Sequence, residues 1–140
     1  MVGVVADWDD VRRLALALPD TDEQPSHGHA AWRVHGKLFA LERPLRPGDR
    51  HELGDQAPTG AILGARVEHL ATKEALLADD PSVYFTTSHF DGYAMILVVL
   101  ARIGLAELEE LLVEAWLSRA PQRLAREYVT AHGLGGDDGV

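Results

Sequence analysis

The sequence predicts an α/β domain (α+β in layout) built on a mainly antiparallel sheet, and three stretches carry that prediction. Residues 84–87 are Tyr, Phe, Thr and Thr, aromatic and β-branched types that suit a pleated surface. They are followed by Asp91-Gly92, which supplies the positive φ a tight hairpin turn needs, and then by an apolar run over 95–100. That run is too short for a domain-spanning helix and reads as a central strand covered on both faces. Downstream, Leu105, Leu108, Leu111, Leu112, Ala115 and Trp116 form one apolar stripe at helical spacing, with Glu107, Glu110 and Glu114 opposite.

The remaining elements follow in chain order. Asp7 is placed as an N-cap with Asp10 in the capping-box position, and Trp8, Val11, Leu14, Ala15 and Leu18 share a helical face that ends at Pro19-Asp20. The period then changes. His27-Gly28-His29 reads as a turn, 31–34 as a strand, His35-Gly36 as a second turn and 37–41 as the next strand, with Trp32 and Val34 facing one way and Arg33 the other. Pro44, Pro47, Gly48, Gly54 and Pro58 mark 43–58 as a loop-rich middle. Residues 61–67 read as a strand with a bulge at Gly64, and Thr72 as the cap of a short helix over 73–78, broken by Asp79-Asp80-Pro81. Ala120-Pro121 ends the Glu-rich helix. A last helix over 122–131 buries Leu124 and Tyr128 and stops at Gly133. The expected domain is 1–134, followed by a disordered tail over 135–140.

The chain has 140 residues, no Cys and a formal net charge of −9. The absence of Cys removes disulfides, thiolate catalysis and Cys-type metal centres. No apolar run approaches a membrane span and the N-terminus lacks a signal-peptide pattern, so the expectation is a cytoplasmic protein without a membrane partner. The acidic balance opposes non-specific attraction to nucleic acid, so any such binding requires a local basic patch.

No catalytic constellation stands out, which points to a non-enzymatic protein with no cofactor. Ser88, His89 and Asp91 offer the residue types of a triad at the wrong spacing, since neighbours on a strand diverge. Gly60 to Gly64 lacks the Lys-Ser/Thr of a phosphate-binding loop. His27 and His29 flank a glycine at a turn with no third ligand nearby, and read as surface histidines rather than a metal pair. The local basic patch falls over 31–51. There Arg33, Lys37, Arg43, Arg46 and Arg50 face only Glu42 and Asp49, a net +3 that leaves −12 on the rest of the chain.

ALALPDTDE (15–23), AWRVHGKLFA (31–40), DDPSVYFTTSHFDGYAMILVVL (79–100) and ELEELLVEAWLSRAP (107–121) together resemble the MmcQ/YjbR family over most of the chain. The Gly36-Lys37-x-Phe39-Ala40 and Pro81…Tyr84…His89-Phe90-Asp91-Gly92-Tyr93 segments are its most specific parts; where the family often has His-Trp, this chain has His89-Phe90. The resemblance implies a CyaY/frataxin-like fold, with helices packed on one face of an antiparallel sheet, and a DNA-binding label drawn from a "double wing" of hairpins. Three readings follow. In the first, Arg33, Lys37, Arg43, Arg46 and Arg50 contact nucleic-acid phosphates. In the second, an open sheet face near Trp32, His89 and Tyr93 binds a protein or small ligand. In the third, a frataxin-like iron site uses Asp9, Asp10, Glu107 and Glu110.

Overall fold

The computed structural model describes residues 6–133, so the expected tail over 135–140 lies outside the described residues. Its centre is a six-stranded sheet, antiparallel throughout, in the order β1-β2-β3-β4-β6-β5. The strands are β1 (Thr21–Glu23), β2 (Ala31–Val34), β3 (Lys37–Glu42), β4 (Ile62–Arg66), β5 (Tyr84–Phe85) and β6 (Met95–Val99). The helices are α1 (Trp8–Leu16), α2 (Pro47–Leu53), α3 (Leu70–Asp79), α4 (Leu105–Arg119) and α5 (Gln122–His132).

The first helix starts where its local chemistry dictates. The Asp10 amide donates to the Asp7 carboxylate and the Asp7 amide to the Asp10 carboxylate, each at 3.0 Å. Val11 and Ala15 are then fully buried, and Trp8 stacks on Trp32 at 6.4 Å between ring centroids. Helix α4 presents Leu108, Leu111, Leu112, Ala115 and Trp116 to the same core and packs on β3, β4 and α1. The Trp116 indole donates to the Pro19 carbonyl at 3.0 Å, tying α4 to the end of the first helical segment. Its ring meets Tyr128 of α5 at 5.1 Å. Gly133 closes α5 in the left-handed region, at φ +66°.

Every residue of β6 is buried, as the apolar run predicts. Ile96 and Val98 face the helices with Trp32, Val34, Phe39, Leu63, Ala65 and Tyr84. Met95, Leu97 and Val99 face the other side, where they meet Ile62, Phe90, Leu38, Leu41, Leu45 and Phe85. Among the described residues no α-helix contributes a side chain to that second core. The chain between β5 and β6 covers it instead, and this is why the expected tight hairpin is absent. β5 does pair with β6, Tyr84 opposite Val98 and Phe85 opposite Leu97. The connection, however, runs through a 3-10 turn over Ser88–Phe90 and puts Phe90 into the core, with Gly92 at φ +73°. β6 also ends one residue early, because Leu100 opens a 3-10 turn, Leu100–Arg102.

Three other expectations change. The middle of the chain holds α2 and a 3-10 turn, Gly54–Gln56, because two of its breakers sit at element ends: Pro47 opens α2 and Gly54 (φ +59°) closes it. Helix α3 begins at Leu70 after His69 rather than at Lys73 after Thr72; Lys73 belongs to its first turns and points inward. Gly64 is no bulge, since the β4–β6 register runs unbroken from Ile62↔Val99 to Arg66↔Met95. A Cβ there would stand 2.8 Å from Leu41 Cδ2, so the glycine lets neighbouring side chains close over the strand.

The cover over the second core is held by buried charges. Lys73, only 6% exposed, donates from Nζ to the carbonyls of Phe90 at 2.7 Å and Tyr93 at 2.9 Å. Burial lowers its pKa, an effect that Asp91 partly opposes. Arg43 is buried beside Asp49 at 3.1 Å, donates to the Pro44 carbonyl and lies over the Phe90 ring at 5.2 Å. Burial raises the Asp49 pKa, but the Arg46 amide and the Arg43 charge more than offset it and hold the carboxyl below its ordinary value.

Two substitutions test this architecture. Leu112→Ala should cost about 2–5 kcal/mol in denaturant unfolding, because Leu112 is fully enclosed between α4 and the sheet; an unchanged midpoint would remove α4 from the core. Asp49→Ala should cost about 3–5 kcal/mol by leaving a buried guanidinium unpaired, and Arg43→Met in the same chain should recover much of the loss. Additive losses in the double variant would mean that the two side chains are not coupled.

Candidate binding surfaces

The predicted basic set divides in the structure. Lys37, Arg46 and Arg50 are exposed and Arg33 is half-exposed, Arg33 and Lys37 on the β2–β3 hairpin and Arg46 and Arg50 on and beside α2. Arg43 leaves the set, because it is 6% exposed and held by Asp49. Arg46 shares the wall of a shallow cavity of about 370 Å³ with His27 and His29, and His29 lies 3.6 Å from Glu42.

The proposed open-face site is not assembled. Trp32 is 1% exposed on the helix-covered side, where its indole donates to Glu23 at 3.0 Å. His89 and Tyr93 belong to the β5–β6 connection on the other side of the sheet. His89 meets Phe90 edge-on at 4.8 Å, and Tyr93, 45% exposed, lies under the Arg66 guanidinium at 4.7 Å. Ser88 and His89 sit in a 3-10 turn rather than a strand, and Ser88 donates its amide and hydroxyl to Glu52, at 2.9 and 2.7 Å. They form no nucleophile–base pair.

The acidic residues of the iron reading also separate. Asp10 is engaged in the α1 cap and with Arg13 at 3.0 Å, and Asp9 stands exposed on the same helix. Glu107 and Glu110 lie on α4. Among the described residues no three His, Asp or Glu side chains converge as metal ligands.

One concavity was missed by sequence reasoning. It lies between α3 and α4 and has a volume of about 610 Å³. Val67, Leu76, Ala106 and Leu111 give it apolar walls; Glu68, Asp79, Glu107, Glu110 and Glu114 surround them. Tyr84 reaches its edge from β5 and donates its hydroxyl to Glu107. The signal present in the sequence was the Glu107, Glu110, Glu114 row, but nothing local shows that α3 lies beside it.

Burial and the Glu107 carboxylate hold the Tyr84 phenol well above its ordinary value. The folded chain therefore keeps this proton while the unfolded chain loses it near pH 10. Tyr84 then stabilises the fold fully below pH 10, and its contribution falls as the pH rises beyond that. Unfolding midpoints compared at pH 9 and pH 11 should show a steeper alkaline decline in the wild type than in Tyr84→Phe. Parallel declines would contradict the assignment.

Comparison with known proteins agrees with this geometry at the level of fold. A family model, YjbR, matches residues 16–118. Rv2570 of Mycobacterium tuberculosis strain H37Rv and Mb2600 of Mycobacterium bovis, both named as uncharacterized proteins, are each 50% identical over 132 residues, covering 92% of this chain and all of theirs. The crystal structure of Deinococcus radiodurans DR2400, a DUF419 domain, superposes with a TM-score of 0.64 at 18% identity, over 93% of this chain and 90% of that one. Among the described residues no helix is long and apolar enough to cross a membrane. The family model spans well over half of the sequence, and the chain belongs to the YjbR family.

Proposed function

We propose that this protein is a non-enzymatic binding domain whose basic 31–51 segment contacts nucleic-acid phosphates through Arg33, Lys37, Arg46 and Arg50, weakly and without sequence selectivity. One observation supports this reading above the others. The buried Arg43–Asp49 pair is neutral as a unit, so its withdrawal leaves the 31–51 segment with four cations against Glu42, still a net +3. Three of those cations are exposed and one is half-exposed. The −12 elsewhere repels a polyanion, which restricts binding to this segment and keeps it weak. Contacts made by such side chains position a phosphate backbone and read no base.

Duplex binding at low salt tests the proposal. The wild type should register at about 100 μM protein, where non-specific binders do, and its affinity should fall steeply with salt. Replacing Arg33, Lys37, Arg46 and Arg50 by Ala should abolish binding, and each single change should reduce the salt slope by roughly 1. No binding by the wild type rejects the reading. Binding unaltered by the fourfold change rejects this segment and points to Arg119, Arg123 and Arg126.

A further inference from the structure

The groove between α3 and α4 has a different chemistry from the basic segment, and it is a built cavity. Its volume of about 610 Å³ lies in the range of small-molecule sites. Its walls are aliphatic: Val67 and Leu111 are buried and Leu76 is half-buried. Five carboxylates stand around those walls, and no Lys or Arg lines them. Among the described residues none of the five pairs with a Lys or Arg, and Glu68 has only His69, at 3.9 Å. Negative charge beside a low-dielectric wall is poorly screened, so the field in the groove is focused.

We infer that this groove binds a linear aliphatic polyamine, its ammonium groups on the α4 carboxylates and its methylenes on Val67, Leu76 and Leu111. Spacing supports this class of ligand. Glu107, Glu110 and Glu114 follow one another at three and four residues, about 5–6 Å apart on a helix. The nitrogens of a polyamine, separated by three or four methylenes, repeat on the same scale. A metal ion fits less well, because the carboxylates form a row and do not converge on a point. Tyr84 adds preorganisation, since its hydrogen bond fixes Glu107 at one end of the row. The groove and the basic segment share no residue, so failure of either proposal leaves the other standing.

Calorimetric titration with spermidine at low salt, followed by methyl NMR, tests the inference. The expected result is saturable one-to-one binding that persists in Mg²⁺ at matched ionic strength, with shifts at Val67, Leu76 and Leu111. Glu110→Gln with Glu114→Gln should weaken binding about tenfold without lowering the melting midpoint, as two exposed ion pairs are lost. Thr72→Arg, which sets a cation at the exposed edge of the groove, should abolish it. Heat that Mg²⁺ removes would show diffuse counterion attraction and overturn the inference. Shifts confined to other surfaces, or binding indifferent to both variants, would overturn it as well.

Discussion

The structure depends on one constraint: β6 is buried on both faces, so the sheet needs two covers. Helices α1 and α4 supply the first, and amphipathic helices do this at little polar cost because their backbone groups are satisfied within the helix. The second cover is largely irregular chain, whose backbone groups must find partners elsewhere. Lys73 provides two of them by donating to Phe90 and Tyr93, and the Arg43–Asp49 pair fixes the start of α2 beneath the Phe90 ring. A buried cation is expensive unless it is paired and hydrogen-bonded. Lys73 is met by two carbonyls, and Arg43 by Asp49 and the Pro44 carbonyl, although the Arg43 Nη2 is left without a hydrogen-bond partner.

That solution shapes the surface. Two of the chain's 13 basic residues serve the interior, and the rest distribute unevenly over an acidic molecule. Arg12 forms a close pair with Glu23 at 2.9 Å, and Glu23 also accepts from Trp32, so the β1–α1 corner is internally neutralised. The Arg12 pair holds the Glu23 carboxyl below its ordinary value against the opposing effect of burial. Cations are left on the β2–β3 hairpin and near α2, and carboxylates around the α3–α4 groove.

How much of this was legible in the sequence depends on the range of the interaction that decides each feature. The α1 capping box, the β2–β3 hairpin with its His35-Gly36 turn and the stripe of α4 are set by residues within a few positions of one another, and they appear where the pattern places them. The wide β5–β6 connection, the start of α3 and the role of Gly64 were not legible. They depend on Lys73 meeting carbonyls 17 and 20 residues away and on Leu41 lying against β4. Arg43 illustrates the same limit within the candidate site. Its neighbours in sequence describe a basic loop, whereas Phe90, far along the chain, draws it into the core. Trp32 and Val34 share one face of the sheet as read, but which face the helices cover could not be inferred from alternation alone.

The acidic row on α4 brings these threads together. Seen on one helix, Glu107, Glu110 and Glu114 are the solvated side of any amphipathic segment. Helix α3 changes their setting by bringing Leu76 and Asp79 alongside, so that the row borders an apolar wall. A nearby lysine would ordinarily relieve that repulsion, and α3 does carry one, but Lys73 is turned to the opposite task of holding the Phe90 connection. The groove is thus left without a counter-charge by the same requirement that closes the second core. Its electrostatic character follows from how a doubly buried strand is covered, and a cationic ligand could restore the balance without disturbing that cover.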